Sequence, residues 1–84
     1  MTILLYEIFT EMPYATGLEE EAEIREVYEK FFPFAKRVLG PEGTIIMYTR
    51  NREYVKQFAV KSNFRILKEI KITQRPESYL MILK

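Results

Sequence analysis

Apolar and polar positions along the chain follow two periods. Ile3-Leu4-Leu5-Tyr6-Glu7-Ile8-Phe9 is a near-continuous apolar run rich in β-formers, broken only by Glu7. Such a run predicts a strand buried on both faces, as in a parallel sheet. Thr10 to Ala15 leave the strand, because Pro13 has no N–H to give a ladder. Thr16-Gly17-Leu18-Glu19 fits a capping box, and Glu19, Glu20, Glu21 and Glu23 stand where a helix N-terminus favours negative charge. Ile24, Val27, Tyr28, Phe31, Ala35 and Val38 then recur at three- and four-residue spacing, the stripe of an amphipathic helix. Lys36 and Arg37 lie near its end, and Gly40-Pro41 stop it. Pro33 inside this pattern predicts a kink, or a split around Phe32.

Gly43 opens a second predicted strand, Thr44 to Thr49, with Ile45, Ile46 and Met47 as its core. Asn51 is the expected side-chain cap of a second helix reaching about Ser62, with Val55, Phe58 and Ala59 on its apolar face. Asn63 suits the left-handed position after it. Phe64, Ile66, Ile70 and Ile72 share one parity and Arg65, Glu69 and Lys71 the other, which predicts a half-buried strand bulged near Leu67-Lys68. Gln74 to Ser78 form a turn. Tyr79-Leu80-Met81-Ile82-Leu83 is a second continuous apolar run and reads as a central strand.

The order β-α-β-α-β-β predicts an α/β domain with a largely parallel sheet and a closing antiparallel strand. Two consecutive crossovers of one hand put both helices on one face. The other face is left without cover, although the first, second and last strands read as apolar on both sides.

Composition narrows the chemistry. With 84 residues, 48% of them hydrophobic, the chain makes one domain spanning residues 1–84. It has no cysteine and no histidine. Disulfides, cysteine-based metal sites and every Ser-His or Cys-His arrangement are excluded, and a cytoplasmic setting is the default. No apolar run is long enough for a membrane span, and Met1 to Phe9 lack the basic start of a signal peptide. The net charge of +1 is unevenly spread. Residues 1–42 hold four basic and nine acidic side chains, and residues 43–84 hold nine basic and three acidic. A basic half could face nucleic acid, and it could equally be a solvated surface complementing the acidic half.

No dinucleotide fingerprint, P-loop or nucleophile elbow is present. The Glu19–Glu23 run lacks the fixed spacing of a calcium or magnesium loop and reads as a charged first turn. Glu7 reads as a carboxylate at a cleft or at a sheet edge. The most informative segment is Thr10-Glu11-Met12-Pro13-Tyr14. It leaves the C-terminal end of a buried strand, where open α/β sheets place their ligands. An acceptor carboxylate, a rigid proline and an aromatic ring adjoin there. They suit a planar, amine-bearing group, stacked on Tyr14 and hydrogen-bonded to Glu11 and the Met12 or Pro13 carbonyl. The competing reading is a proline turn with Tyr14 packed on the helix.

Thr10-Glu11-Met12-Pro13-Tyr14 resembles the Asn/Asp-Pro-Pro-Tyr/Phe motif of amino-group methyltransferases. The nearest form is the variant with Leu or Met at the second position, found in RNA methyltransferases that carry a THUMP domain, the guanine-N2 type. Glu26-Val27-Tyr28-Glu29-Lys30-Phe31-Phe32 resembles that family's helix after the motif, and Gly43 to Thr49 its fifth strand. Asn63 to Ile66 and Tyr79 to Lys84 resemble its closing strands. The resemblance thus covers nearly the whole chain, as the C-terminal half of a class I, Rossmann-like methyltransferase domain. It implies a four-stranded mixed sheet in the order 1-2-4-3 with the last strand antiparallel. It also implies that Glu11, Pro13 and Tyr14 position the acceptor base. Glu11 stands where Asn or Asp is usual, and Ala15-Thr16-Gly17 replace the glycine that commonly follows the aromatic.

In that family S-adenosylmethionine binds a Gly-rich loop after the first strand and an acidic residue after the second, and the resemblance begins beyond both. S-adenosylmethionine is therefore implied for the complete enzyme, and no cofactor for this chain alone, which is expected to be inactive by itself. The resemblance implies tRNA or rRNA as the complete enzyme's partner and a missing N-terminal half; the free face is expected to be covered by that half or by a homo-oligomer. The reading from another class is a non-catalytic module that self-associates, or binds a partner, through that face.

Overall fold

The computed structural model describes residues 5–14 and 18–84; of Leu18 and Glu19 it describes the backbone alone. The elements run β1 (Leu5–Glu11), α1 (Leu18–Val38), β2 (Leu39–Thr49), α2 (Arg52–Lys61), β3 (Ile66–Gln74) and β4 (Glu77–Leu83). One sheet joins the strands in the order β1-β2-β4-β3. β1 and β2 are parallel, and β4 is antiparallel to both β2 and β3. This is the expected mixed sheet with the last strand inserted.

The register sorts the side chains by face. One face carries the rows Ile8–Ile45–Leu83–Ile66 and Thr10–Met47–Met81–Glu69, with Thr49–Tyr79–Lys71 beyond them. Both helices cover this face. Tyr28, Phe32 and Ala35 of α1, with Val55, Phe58 and Ala59 of α2, form one core with Ile45, Met47, Met81 and Leu83. Burying such side chains contributes roughly 1.5–3 kcal/mol for each large one. The opposite face carries the rows Phe9–Ile46–Ile82–Lys68 and Glu11–Tyr48–Leu80–Ile70. Among the described residues no helix covers it. Ile46, Leu80 and Ile82 are half-buried by their neighbours, while Phe9 is 74% exposed.

Four local expectations are corrected. Pro33 neither splits nor ends α1, which runs unbroken past it to Val38. Pro33 is exposed, so the carbonyl deprived of its partner can turn to water, and the packing of Tyr28, Phe32 and Ala35 carries the helix across. Nor does the second strand wait for Gly43: β2 already includes Leu39 to Glu42. α1 passes directly into β2 at Leu39, which pairs with Leu5, and the chain bends so tightly that a Cβ on Gly43 would lie 2.8 Å from the Leu39 side chain. Asn51 holds the N-cap position without capping by its side chain; its carbonyl takes Tyr54 N–H at 3.0 Å. The apolar residues of β3 do not share a face. The bulge between Ile66 and Lys68 flips the parity, so Ile66 faces the helices and Ile70 the open side.

Other expectations hold. Asn63 takes a left-handed backbone, φ 63°, as Ser62 and Asn63 close α2. β4 is central, as its apolar run implies. β1 departs from its expectation: it is an edge within this sheet and not buried on both faces, with Leu5, Tyr6 and Phe9 exposed because no described element covers its outer side, and Glu7 stands on that exposed margin. The hairpin tip is shorter than expected, only Arg75 and a cis Pro76. The Thr16–Glu19 capping box lies outside the described side chains. No helix among the described residues is long and apolar enough to cross a membrane.

Candidate functional site

Parallel strands that are neighbours end at the same margin. β1 ends at Glu11 opposite Tyr48, and the Met12 N–H continues the ladder to the Tyr48 carbonyl at 2.9 Å. Met12 is buried, which anchors the exit from β1. Glu11 and Pro13 are exposed at this margin, and Tyr14 is 42% exposed. Glu11 lies on the open face of the sheet, in line with Tyr48.

Tyr14 packs beneath Arg50, whose guanidinium carbon sits 3.6 Å from the ring centroid. That distance puts the cation directly over a ring face, the arrangement favoured by the ring quadrupole. Arg50 follows the last residue of β2 and is held by its flanks. Thr49 is fully buried; its hydroxyl accepts the Asn51 N–H at 2.9 Å and bonds the Tyr28 hydroxyl at 2.5 Å. Burial pushes the Tyr28 phenol above the ordinary tyrosine value, so it stays neutral and able to donate. The short β2–α2 connection is therefore pinned from both sides.

Behind Arg50 lies a cleft of about 370 Å³, lined by Glu21, Arg50–Tyr54, Glu77 and Tyr79. Its carboxylates are all engaged. Glu21 accepts from the Tyr54 hydroxyl, and that bond raises the Tyr54 pKa. Glu53 lies 3.5 Å from Arg52. Glu77 accepts from the Tyr79 hydroxyl at 3.0 Å and lies 3.5 Å from Lys71; those contacts lower its pKa, the tyrosine bond contributing most. Arg52 is engaged as well, bonded to Glu69 at 3.0 Å. A second cleft, about 260 Å³, opens at the far margin between Lys36, Leu39, Pro41, Phe64 and Lys84. Its lysines are also committed, Lys36 to the Asn63 carbonyl and the Phe64 ring, Lys84 to Glu42 at 2.7 Å.

The segment Glu11 to Tyr14 thus lies at the margin where the parallel strands β1 and β2 both end, the margin at which open α/β sheets commonly place ligands. Tyr14 rests against Arg50, a partner the sequence reading did not identify. A signal for it was available: in a parallel pair, the residue that follows one strand lies beside the residues that follow the other. No group of described residues has the make-up of a metal site. Nor do these residues fit S-adenosylmethionine. The chain has three glycines and no Gly-rich loop, and neither cleft offers an uncommitted carboxylate.

Comparison with known proteins places this geometry. No curated protein matches the chain significantly. The fold is similar to that of a candidate DNA modification methylase from Thermus thermophilus, with a TM-score of 0.72 at 15% identity. That alignment covers 99% of this chain and 46% of the other, so this chain spans less than half the length of the protein it resembles. Residues 5–76 match the model of the UPF0020 family, described as an RMKL-like methyltransferase domain. With that match extending over most of its length, the chain belongs to the UPF0020 family of methyltransferase domains.

Proposed function

We propose that this chain forms the acceptor-binding C-terminal half of an S-adenosylmethionine-dependent RNA methyltransferase that modifies an exocyclic amine of guanine or adenine. The observation that carries the reading is the placement of Glu11 to Tyr14 at the margin where β1 and β2 both end, with Tyr14 held by Arg50 and still partly exposed. Tyr14 stacks on the base, and the Glu11 carboxylate and the carbonyl beside Pro13 accept from its amine. Their work is orientation, which fixes the nitrogen lone pair toward the methyl donor. The donor is held by a polypeptide region outside these 84 residues, so the chain alone does not methylate.

The test is transfer of labelled methyl groups to unmodified RNA and DNA, by the chain alone and with a cofactor-binding half supplied. Incorporation into RNA only when both halves are present is expected. Tyr14→Ala in the two-part enzyme lowers kcat/KM by about tenfold or more; an unchanged kcat/KM removes the stacking role. Incorporation into DNA instead replaces the polymer. Micromolar binding of S-adenosylmethionine to the chain alone overturns the claim that the cofactor half lies elsewhere.

A second reading rests on the uncovered face. Leu5 and Phe9 are exposed beside half-buried Ile46, Leu80 and Ile82, an apolar surface suited to self-association or to a partner. A stable homodimer in sedimentation equilibrium, dissociated by Phe9→Glu, favours this module reading. A monomer that gains stability only on adding a cofactor-binding half favours the enzyme.

A further inference from the structure

Among the charged groups lining the larger cleft, Arg50 stands apart. Glu21, Arg52, Glu53 and Glu77 each have a polar or ionic partner among the described residues. Arg50 has none there, and its Nε is buried without a hydrogen-bond partner. An unpaired guanidinium is costly, and the terminal nitrogens beside the buried Nε are where an acceptor arriving with a ligand can meet the group. One planar face of the guanidinium is occupied by Tyr14 at 3.6 Å. Its N–H groups lie in the plane perpendicular to that contact, so stacking leaves them free to bind an anion. The backbone on either side is fixed by Thr49 and Asn51, which makes the group a preorganised one.

We infer that Arg50 binds a backbone phosphate of the acceptor nucleotide while its guanidinium plane clamps Tyr14 against the base, so that the substrate is a polynucleotide. This rests on the acceptor-base reading above and extends it from the base to the chain that bears it. The guanidinium, the Tyr14 ring and the base make a three-layer stack. The first layer also grips the phosphate, so base and backbone are registered by one rigid unit. A free nucleobase or a protein side chain would leave the Arg50 N–H groups unpaired. Phosphate occurs in both RNA and DNA, and only contacts to the sugar could tell them apart.

The experiment measures binding of this chain to single-stranded RNA and DNA oligonucleotides, intact and with one abasic position, by fluorescence anisotropy across a range of KCl concentrations. Thermal unfolding of each variant runs alongside. Arg50→Gln is expected to weaken binding about tenfold. It should also make the slope of log affinity against log salt shallower by about 0.7, the loss of one single-strand phosphate contact. Arg50→Lys keeps the charge and the slope but loses the planar clamp, so it should weaken binding to the intact strand more than to the abasic one. Tyr14→Ala should weaken binding to the intact strand alone. The tighter of the RNA and DNA arms identifies the polymer. Wild-type salt dependence in Arg50→Gln overturns the inference, as does failure of the wild-type chain to bind either strand saturably. If Arg50→Gln flattens the slope while Tyr14→Ala changes nothing, the phosphate contact stands and the base reading falls. If Tyr14→Ala discriminates intact from abasic strands while Arg50→Gln matches wild type, the base reading stands and this inference falls.

Discussion

The two faces of the sheet are built from similar residues and meet different fates. Ile45, Met47, Met81 and Leu83 lie under α1 and α2 and are fully buried. Ile46, Leu80 and Ile82, one residue away on the same strands, are only half-buried, and Phe9 beside them is exposed. Hydrophobicity along a strand therefore records what the strand is made to meet, and the described residues supply a cover for one side. The covered face holds the fold together; the open face is surface that another polypeptide can use.

Substitutions on the two faces should separate by magnitude. Phe32→Ala empties a fully buried site between the helices and Phe64, and should cost about 3–5 kcal/mol in urea unfolding. A cost below about 1 kcal/mol would mean that the helix layer is not the core. Gly43→Ala forces a Cβ against Leu39 where α1 enters the sheet, and should cost about 1–3 kcal/mol by the same measurement.

Tyr28→Phe removes the phenol from the Thr49 hydroxyl, which keeps its Asn51 donor, and should cost about 1 kcal/mol. It also reads out pH. Because the folded Tyr28 pKa is raised, the unfolded chain ionises first, and stability present below about pH 10 falls as pH rises through the folded value. Thermal melts from about pH 8 to about pH 11 should show a shallower alkaline decline in the Phe variant, with a residue left by Tyr54 and Tyr79, whose pKa values are also raised. Phe9→Ser should be the mildest, within about 0.5 kcal/mol, because the ring is exposed in this chain. A large loss at Phe9 would break the contrast between the faces, and would indicate that the open face is covered in solution.

The succession of elements was legible because apolar runs constrain it strongly, whereas the strand order 1-2-4-3 came from the resemblance to methyltransferase domains. The continuous run Tyr79 to Leu83 announced a central strand, and the uncovered face followed from two crossovers of one hand. What escaped was set by tertiary context. Pro33 breaks an isolated helix, yet packing on both sides of it outweighs one lost hydrogen bond. Asn51 sits where a cap belongs, but its side chain makes no cap hydrogen bond and engages the Tyr28 hydroxyl instead. The bulge at Leu67 was anticipated without its effect on parity, since one extra residue reverses the side chains that follow it in β3, until the second irregularity between Lys71 and Thr73. At the candidate site the motif from Glu11 to Tyr14 was visible in one stretch of sequence. Arg50 was not, because it lies 36 positions from Tyr14 and meets it only through the parallel pairing of β1 and β2.

The two outer strands also differ as backbone. β3 has two register irregularities, and Lys68 and Lys71 line it, features that discourage another chain from zipping onto its outer edge. β1 pairs regularly with β2 from Glu7 to Glu11, and no described strand lies on its other side. Its outward N–H and C=O groups are a template at the correct spacing for one more strand. One margin of the sheet is finished and the other can be extended, so the sheet has a direction of growth. A segment added beside β1 would gain a ready ladder, and in a concentrated preparation without such a segment the same edge is where aggregation would start.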